Sequence, residues 1–174
     1  MELTTKRLRI CPLTGSQLRQ LLDDAGLLAK DLGLRASLRP LDSDTQTAME
    51  WLYREGTAHP DSRLWFANWQ IIHQSGQLAV GSACFKGPPD ALGWVEVGYG
   101  IEPEHQRQGY MTEALDALCR WAFAHPQVRA VVAETQRDNA ASYRVLQKCG
   151  FAQVDETELL FRWKLSKGRH KIIL

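Results

Sequence analysis

WVEVGYGIEPEHQRQGYMTEAL, residues 94–115, decides how the rest of the chain is read. Its first eight residues alternate like a strand. Val95, Val97, Tyr99 and Ile101 fall on one face, and Trp94, Glu96, Gly98 and Gly100 on the other. The second face joins one carboxylate to two positions without side chains. Glycine weakens a strand and marks a bulge or a close backbone approach. A ligand lying along this backbone beside Glu96 explains the pattern; so does a solvent-facing glutamate with incidental glycines. The end of the stretch opens an amphipathic helix over 109–125, closed by His125-Pro126. Between strand and helix lie Gln106, Arg107, Gln108 and Gly109. The first turn of a helix carries unpartnered amides and the positive end of the dipole, and a phosphate satisfies both. Gly109 permits close approach, Thr112 adds a hydroxyl and Arg107 a charge. QRQGYMT is therefore a candidate pyrophosphate cradle, the alternative being a glycine near an ordinary helix start. Other phosphate motifs fail: there is no GxxxxGK[ST], and GYGIEP has Pro103 where the third glycine of GxGxxG belongs.

The 174 residues suit a single domain spanning 1–174, large enough to bury roughly 70% of the unfolded surface. A formal net charge of +1 gives no reason to expect nucleic acid or an anionic membrane as partner. No apolar run is long enough to span a bilayer, and MELTTKRLRI has no apolar segment after its basic residues, so the reading is cytoplasmic. Cys11, Cys84, Cys119 and Cys149 form no CxxC pair and have no histidine at zinc-ligand spacing. They read as reduced thiols packed as small hydrophobes, and no metal is expected.

Along the chain, RLRIC (7–11) is a strand stopped by Pro12. One helix runs from a Thr14 or Ser16 cap to Lys30, and a loop covers 30–42. A second helix opens at Asp44 with Ala48, Trp51 and Leu52 as its apolar face, ending between Gly56 and Pro60. LWFANWQIIH and LAVGSACFKG pair as strands around QSGQ, with Trp65 and Trp69 packing on the sheet. VRAVVAET (128–135) reads as a strand buried on both faces. DNAASYRVLQKC is a helix stopped by Gly150, and a closing hairpin turns at DETE. The order is βααβββαβαββ: an α+β chain whose mixed sheet contains parallel crossovers. The tail KGRHKIIL is a frayed end, a packed strand end or a subunit contact.

Residues 94–151 resemble the GNAT superfamily of N-acetyltransferases, whose coenzyme signature is [Q/R]-x-x-G-x-[G/A]. QRQGYM puts Gln106 and Gly109 on that pattern, while Met111 departs from its final small residue. VGYGIEPEHQRQGYMTEAL, RDNAASYRVLQKCGF and the opening LTTKRLRICPLT are similar to the RimJ/RimL branch, whose founding members acetylate N-termini of ribosomal proteins. The likeness runs from residue 3 to about 165 and is sharp between 95 and 151.

The resemblance implies a mixed, mostly antiparallel sheet flanked by helices, with a V-shaped splay between the strands at 94–101 and 128–135. Residues 94–151 would carry the coenzyme, and 14–60 with 152–165 the acceptor side. It implies acetyl-CoA as co-substrate, with the arm pairing at Tyr99, Gly100 and Ile101. The pyrophosphate would lie on Gln106, Arg107, Gln108, Gly109, Tyr110, Met111 and Thr112. Asn139 would touch the coenzyme arm, or serve as a plain helix cap. Ser142 would lie near the thioester sulfur, or be a surface helix serine. Many relatives place a tyrosine acid four residues before the glycine of GF; here that position is Leu146, which leaves Ser142 as the candidate acid and Tyr143 behind it.

The chemistry asks for a base. A primary amine with a pKa of about 10.4 must lose a proton before attacking a thioester, and Glu96 is the candidate. A backbone N–H at the bulge would hold the oxyanion, and a thiolate is a fair leaving group. The expected acceptor is a primary amine on a small molecule or a peptide N-terminus. It would be framed by 25–42 and by the turn bearing Asp155, Glu156 and Glu158. Two rivals stand beside acetyl transfer: a succinyl-CoA donor met by Arg35 or Arg39, and an acyl-CoA-binding module without catalysis. Arg144 and Lys148 are adenosine-phosphate contacts or a solvated helix face. His73, His105 and His125 have no evident partners. A homodimer is the expected assembly.

Overall fold

The computed structural model describes residues 1–36 and 38–170; residues 171–174 of the tail lie outside the described residues. Among the described residues, alternating apolar segments build one eight-stranded sheet. Its strands are β1 (Leu3–Thr4), β2 (Leu8–Pro12), β3 (Asn68–His73), β4 (Leu78–Phe85), β5 (Trp94–Ile101), β6 (Ala130–Gln136), β7 (Ala152–Glu156) and β8 (Leu160–Ser166). Their order is β1-β2-β3-β4-β5-β6-β8-β7, antiparallel throughout except for β5 with β6. The helices are α1 (Gly15–Asp23), α2 (Ala25–Asp31), α3 (Ser43–Ala58), α4 (Tyr110–Phe123) and α5 (Ala140–Lys148). The expected α+β architecture is present, and α4 is the crossover that makes β5 and β6 parallel.

Helix α4 carries apolar residues around most of its circumference because the sheet covers one side and α5 and the C-terminal residues crowd the others. Ala114, Leu115, Leu118, Trp121 and Ala122 pack with Leu8, Ile10, Trp69, Ile71, Phe85, Val95 and Val97. A second cluster gathers Leu13, Leu18, Leu21, Leu28, Met49, Leu52 and Phe66 under α1, α2 and α3, and Cys84 packs against it. Cys84 points opposite to its β4 neighbours Ala83 and Phe85, so the two clusters sit on opposite faces of the sheet.

Several expectations change. The helix expected over 14–30 breaks at Asp24, whose extended backbone lets its carboxylate accept from Gly26 N at 2.9 Å and cap α2. Asp42, not Asp44, caps α3, accepting from Thr45 N at 2.8 Å. On α3 the buried positions are Met49 and Leu52, with Trp51 half-buried, edge-on to Phe66. Residues Pro60–Phe66 form a 3-10 helix rather than the start of a strand, so Trp65 reaches Trp121 (ring centroids 4.5 Å apart) from that helix. Pro12 is the last strand residue, opposite Trp69. In β6 only Ala130 and Val131 are buried side by side; from there exposure alternates, because the face bearing Val132 and Glu134 has no helix over it. Strand β7 lies outside β8, so the chain leaving α5 passes beyond one strand before pairing. In the tail, His170 Nε2 lies 2.9 Å from the buried Asp116 carboxylate, which also meets Arg120 at 3.2 Å.

Candidate active site

The parallel pairing of β5 with β6 has three rungs, Trp94↔Ala130, Val95↔Val131 and Glu96↔Val132. Beyond them the strands part. β5 continues against β4 as far as Gly81↔Ile101, while β6 continues against β8 as far as Gln136↔Leu160. Residues Val97 to Ile101 therefore offer one backbone edge to a wedge-shaped opening, the V-shaped splay expected from sequence. Gly81 accounts for part of it. A Cβ there would stand 2.2 Å from the Gly100 carbonyl oxygen, so glycine lets β5 lie close on β4 and away from β6. Gly98 and Gly100 leave the facing surface without side chains. Glu96 sits on the last rung before the divergence.

At the far end of the wedge is the start of α4. Gly109 occupies its cap position with φ +79, and Arg107 is also left-handed at φ +61. Among the described residues nothing accepts from the amides of Gln108, Gly109, Tyr110, Met111 or Thr112; the first helical bond is Glu113 N to Gly109 O at 3.1 Å. Met111 departs from the small-residue pattern harmlessly: its side chain is buried in the core, and only its amide faces the loop. Gln106 Nε2 donates to Ile101 O at 3.3 Å, tying the loop to β5.

The strap that holds this loop was not legible in the sequence. Arg7, just before β2, donates from Nη1 to Gln108 O at 3.0 Å and lies 4.6 Å over the Tyr110 ring. Its Nε pairs with Glu113 Oε2 at 2.7 Å, and its amide reaches Glu113 Oε1 at 2.9 Å. Thr5 Oγ1 also donates to Glu113 Oε1, at 2.6 Å. Burial pushes the Glu113 carboxyl up, but the hydrogen bonds from Thr5 and Arg7 outweigh it and hold the group below its ordinary value. The only available signal was the similarity of the KRLRI opening to the RimJ/RimL branch, which carried no role for Arg7.

Glu96 faces a cavity of about 270 Å³ lined by Lys86, Pro88, Asp90, Trp94, Val132, Glu134 and Arg162. The cavity lies on the sheet face that α4 and α5 leave open. Its charges are paired across strands: Lys86 Nζ contacts Glu96 Oε1, and Arg162 meets Glu134 at 2.8 Å. Lys164 Nζ lies 3.8 Å over the Trp94 ring. Asp90 is engaged with the backbone, accepting from the Leu92 and Trp94 amides. Lys86 escaped the sequence reading because strand register decides it: Lys86 N bonds to Glu96 O at 2.9 Å, placing the two side chains on one face.

Ser142 lies across the sheet from Glu96, on the α5 side. Its hydroxyl is 2.9 Å from that of Tyr99, which also donates to Ser142 O at 3.2 Å. Burial, only partly offset by the Ser142 hydrogen bond, pushes the Tyr99 hydroxyl up to about 12. Asn139 caps α5, its Oδ1 accepting from Ser142 N at 3.0 Å. Leu146 is fully buried, so the usual tyrosine site presents no hydroxyl. Arg35 lies against Gln77, and Arg39 pairs with Glu102 and Glu104; neither lines the cavity. Asp155, Glu156 and Glu158 are exposed and outside it. His125 packs on Trp65 and Trp121, and His73 packs beside Tyr110. All four thiols are free, and burial pushes Cys11 and Cys149 up to about 12. Among the described residues there is no cluster of metal-ligating side chains, and no helix is long and apolar enough to cross a membrane.

A splayed β5–β6 pair, a helix start with free amides and a carboxylate at the vertex together describe an acyl-coenzyme transferase fold. The family profile described as Acetyltransferase (GNAT) domain matches residues 7–152. The chain belongs to the GNAT acetyltransferase family and is an enzyme of that class. The Bacillus subtilis (strain 168) protein named uncharacterized N-acetyltransferase YjdG is 31% identical over 122 residues, 70% of this chain and 72% of that one. A RimL ribosomal L7/L12 alpha-N-protein acetyltransferase, solved in complex with coenzyme A, aligns with a TM-score of 0.68 at 17% identity, covering 95% of this chain and 98% of its own. Spermidine N-acetyltransferase from Vibrio cholerae, solved with coenzyme A and spermine, aligns with a TM-score of 0.65 at 14% identity, covering 95% and 97%. At these identities the two solved structures share the fold with this chain.

Proposed function

We propose that this protein transfers the acetyl group of acetyl-CoA to a primary amine by direct attack on the thioester, in the cytoplasm and within one domain. The observation that carries the reading is the end of the β5–β6 ladder at Glu96↔Val132. It joins two half-sites by one opening: the amides at the start of α4 and the carboxylate at the vertex. The diphosphate lies on the amides of Gln108 to Thr112, with Arg107 adding charge. The arm runs along the free edge of Tyr99, Gly100 and Ile101. The amine enters from the cavity side, displaces Lys86 from Glu96 and gives its proton to that carboxylate, directly or through a water. A free backbone amide on the β5 edge receives the oxyanion. The Tyr99–Ser142 hydroxyl pair borders the opening on the other side and supplies a proton to the departing thiolate. Asn139 holds Ser142 in place through its cap.

The test has two stages. Calorimetry with acetyl-CoA is expected to show one site per chain. Thiol release is then followed with a panel of amines that includes spermidine and peptides bearing ribosomal-protein N-termini, since relatives of this fold carry those names. Glu96→Gln is expected to lower kcat by about 100-fold or more while leaving coenzyme affinity within about twofold. A variant that keeps its rate across pH 6 to 9 removes Glu96 from the mechanism.

A further inference from the structure

We infer that Lys86 is a site of self-acetylation, an inference that rests on the reading of Glu96 as base. Lys86 follows the last residue of β4, and its amide donates to Glu96 O at 2.9 Å. Both side chains face the same cavity, where Lys86 Nζ contacts Glu96 Oε1. Any amine that this site acetylates must bring its nitrogen within hydrogen-bond reach of the base, directly or through one water, and Lys86 already meets that condition directly in the free protein. Among the described residues no other lysine pairs with a carboxylate: Lys6, Lys30, Lys148, Lys164 and Lys167 form no such ion pair. The Lys86 side chain is 53% exposed, which leaves its stem free to swing toward the vertex.

In the step, Glu96 takes a proton from the Lys86 ammonium, and the neutral Nζ attacks the thioester carbonyl. A C–N bond forms and the C–S bond breaks. Glu96 releases that first proton to water and then takes the nitrogen's second proton, which also passes to water. The thiolate leaves with the C–S bond electrons and is protonated to free coenzyme A by the Tyr99–Ser142 hydroxyl pair, itself reprotonated from water, so one net proton is released. The product is an Nε-acetyl-lysine whose amide nitrogen is no longer nucleophilic, so Lys86 takes a single acetyl group.

The experiment incubates the intact protein with isotopically labelled acetyl-CoA and no added amine, and maps labelled lysines by peptide mass spectrometry over time. Lys6, Lys30, Lys148, Lys164 and Lys167 in the same tube report the uncatalysed background. Label is expected at Lys86 at least roughly 10-fold faster than at those sites, falling to background in Glu96→Gln, on the scale of base assistance. Lys86→Arg is expected to leave the background sites unchanged and to abolish the fast phase of label uptake in the intact mass. Calorimetry on the same samples separates the two failures. If acetyl-CoA binds and Lys86 stays at background, the inference is wrong and the coenzyme reading stands. Equal labelling of Lys86 in Glu96→Gln overturns the inference as well. If acetyl-CoA does not bind, both fall together.

Discussion

Replacing Glu113 with Gln tests how the N-terminal segment holds the loop proposed to bind the coenzyme. The carboxylate accepts three hydrogen bonds: Thr5 Oγ1 at 2.6 Å, Arg7 N at 2.9 Å and Arg7 Nε at 2.7 Å. Gln keeps the shape but turns one acceptor into a donor aimed at the guanidinium. The bonds from Thr5 and the Arg7 amide both go to Oε1 and can be kept by the Gln carbonyl, so the loss falls on the Arg7 Nε bond to Oε2. The ion pair adds about 0.5–1 kcal/mol, discounted for solvent screening because the Arg7 side chain is 39% exposed. The Gln amide donor left facing the guanidinium costs about 1 kcal/mol more, and a total loss of about 1.5–2 kcal/mol at pH 7 lowers Tm by roughly 3–8 °C for a chain of this length. The pH dependence has a definite sign. Glu113 is held below its ordinary value, so its stabilisation is present above about 4.3, the value in the unfolded chain, and is lost as pH falls through the lower folded value. The gap in Tm between wild type and Glu113→Gln is therefore full at pH 7 and narrows below about pH 4. Arg7 also loses its fixed position over Gln108 O and Tyr110, so coenzyme affinity falls while kcat at saturation changes little. Scanning calorimetry at several pH values and coenzyme titration measure both effects. A variant melting within about 1 °C of wild type at pH 7, or a gap that widens in acid, would refute the role given to this strap.

Gly109→Ala places a Cβ at a left-handed position, φ +79, at a cost of about 1–2 kcal/mol. The added Cβ would stand 3.5 Å from Arg7 Nη2 and strain the backbone whose free amides form the proposed phosphate site, so affinity for coenzyme A should fall by more than the thermal shift explains; equal affinity would move the phosphate elsewhere. Tyr99→Phe removes the bonds to Ser142 and should cost about 1 kcal/mol. The Tyr99 hydroxyl is pushed up to about 12 when folded. The stabilisation linked to its neutral form is thus intact below about pH 10 and lost as pH rises through the folded value. Ultraviolet titration showing Tyr99 ionising with exposed tyrosines would contradict its burial beside Ser142.

The sequence by itself determined the local pieces of this protein. Alternation in WVEVGYGI marked a strand with a side-chain-free face, Gly109 marked a helix start, and Asn139 marked a cap; each depends on a few neighbouring residues, and each is present in the structure. It placed Glu96 on the gapped face because strand period alone assigns faces. Elements whose backbone was decided by single caps or turns were less legible: Asp24 broke one helix in two, and Pro60–Phe66 coiled where aromatic residues suggested a strand. The tertiary structure alone decided which distant residues meet. Register set Lys86 beside Glu96, strand order set Glu134 and Arg162 opposite them, and docking of the first strands on α4 brought Arg7 to Gln108 and Glu113. Pairings across more than a hundred residues are fixed by the summed packing of the sheet and its helices, and no short window of sequence carries that sum.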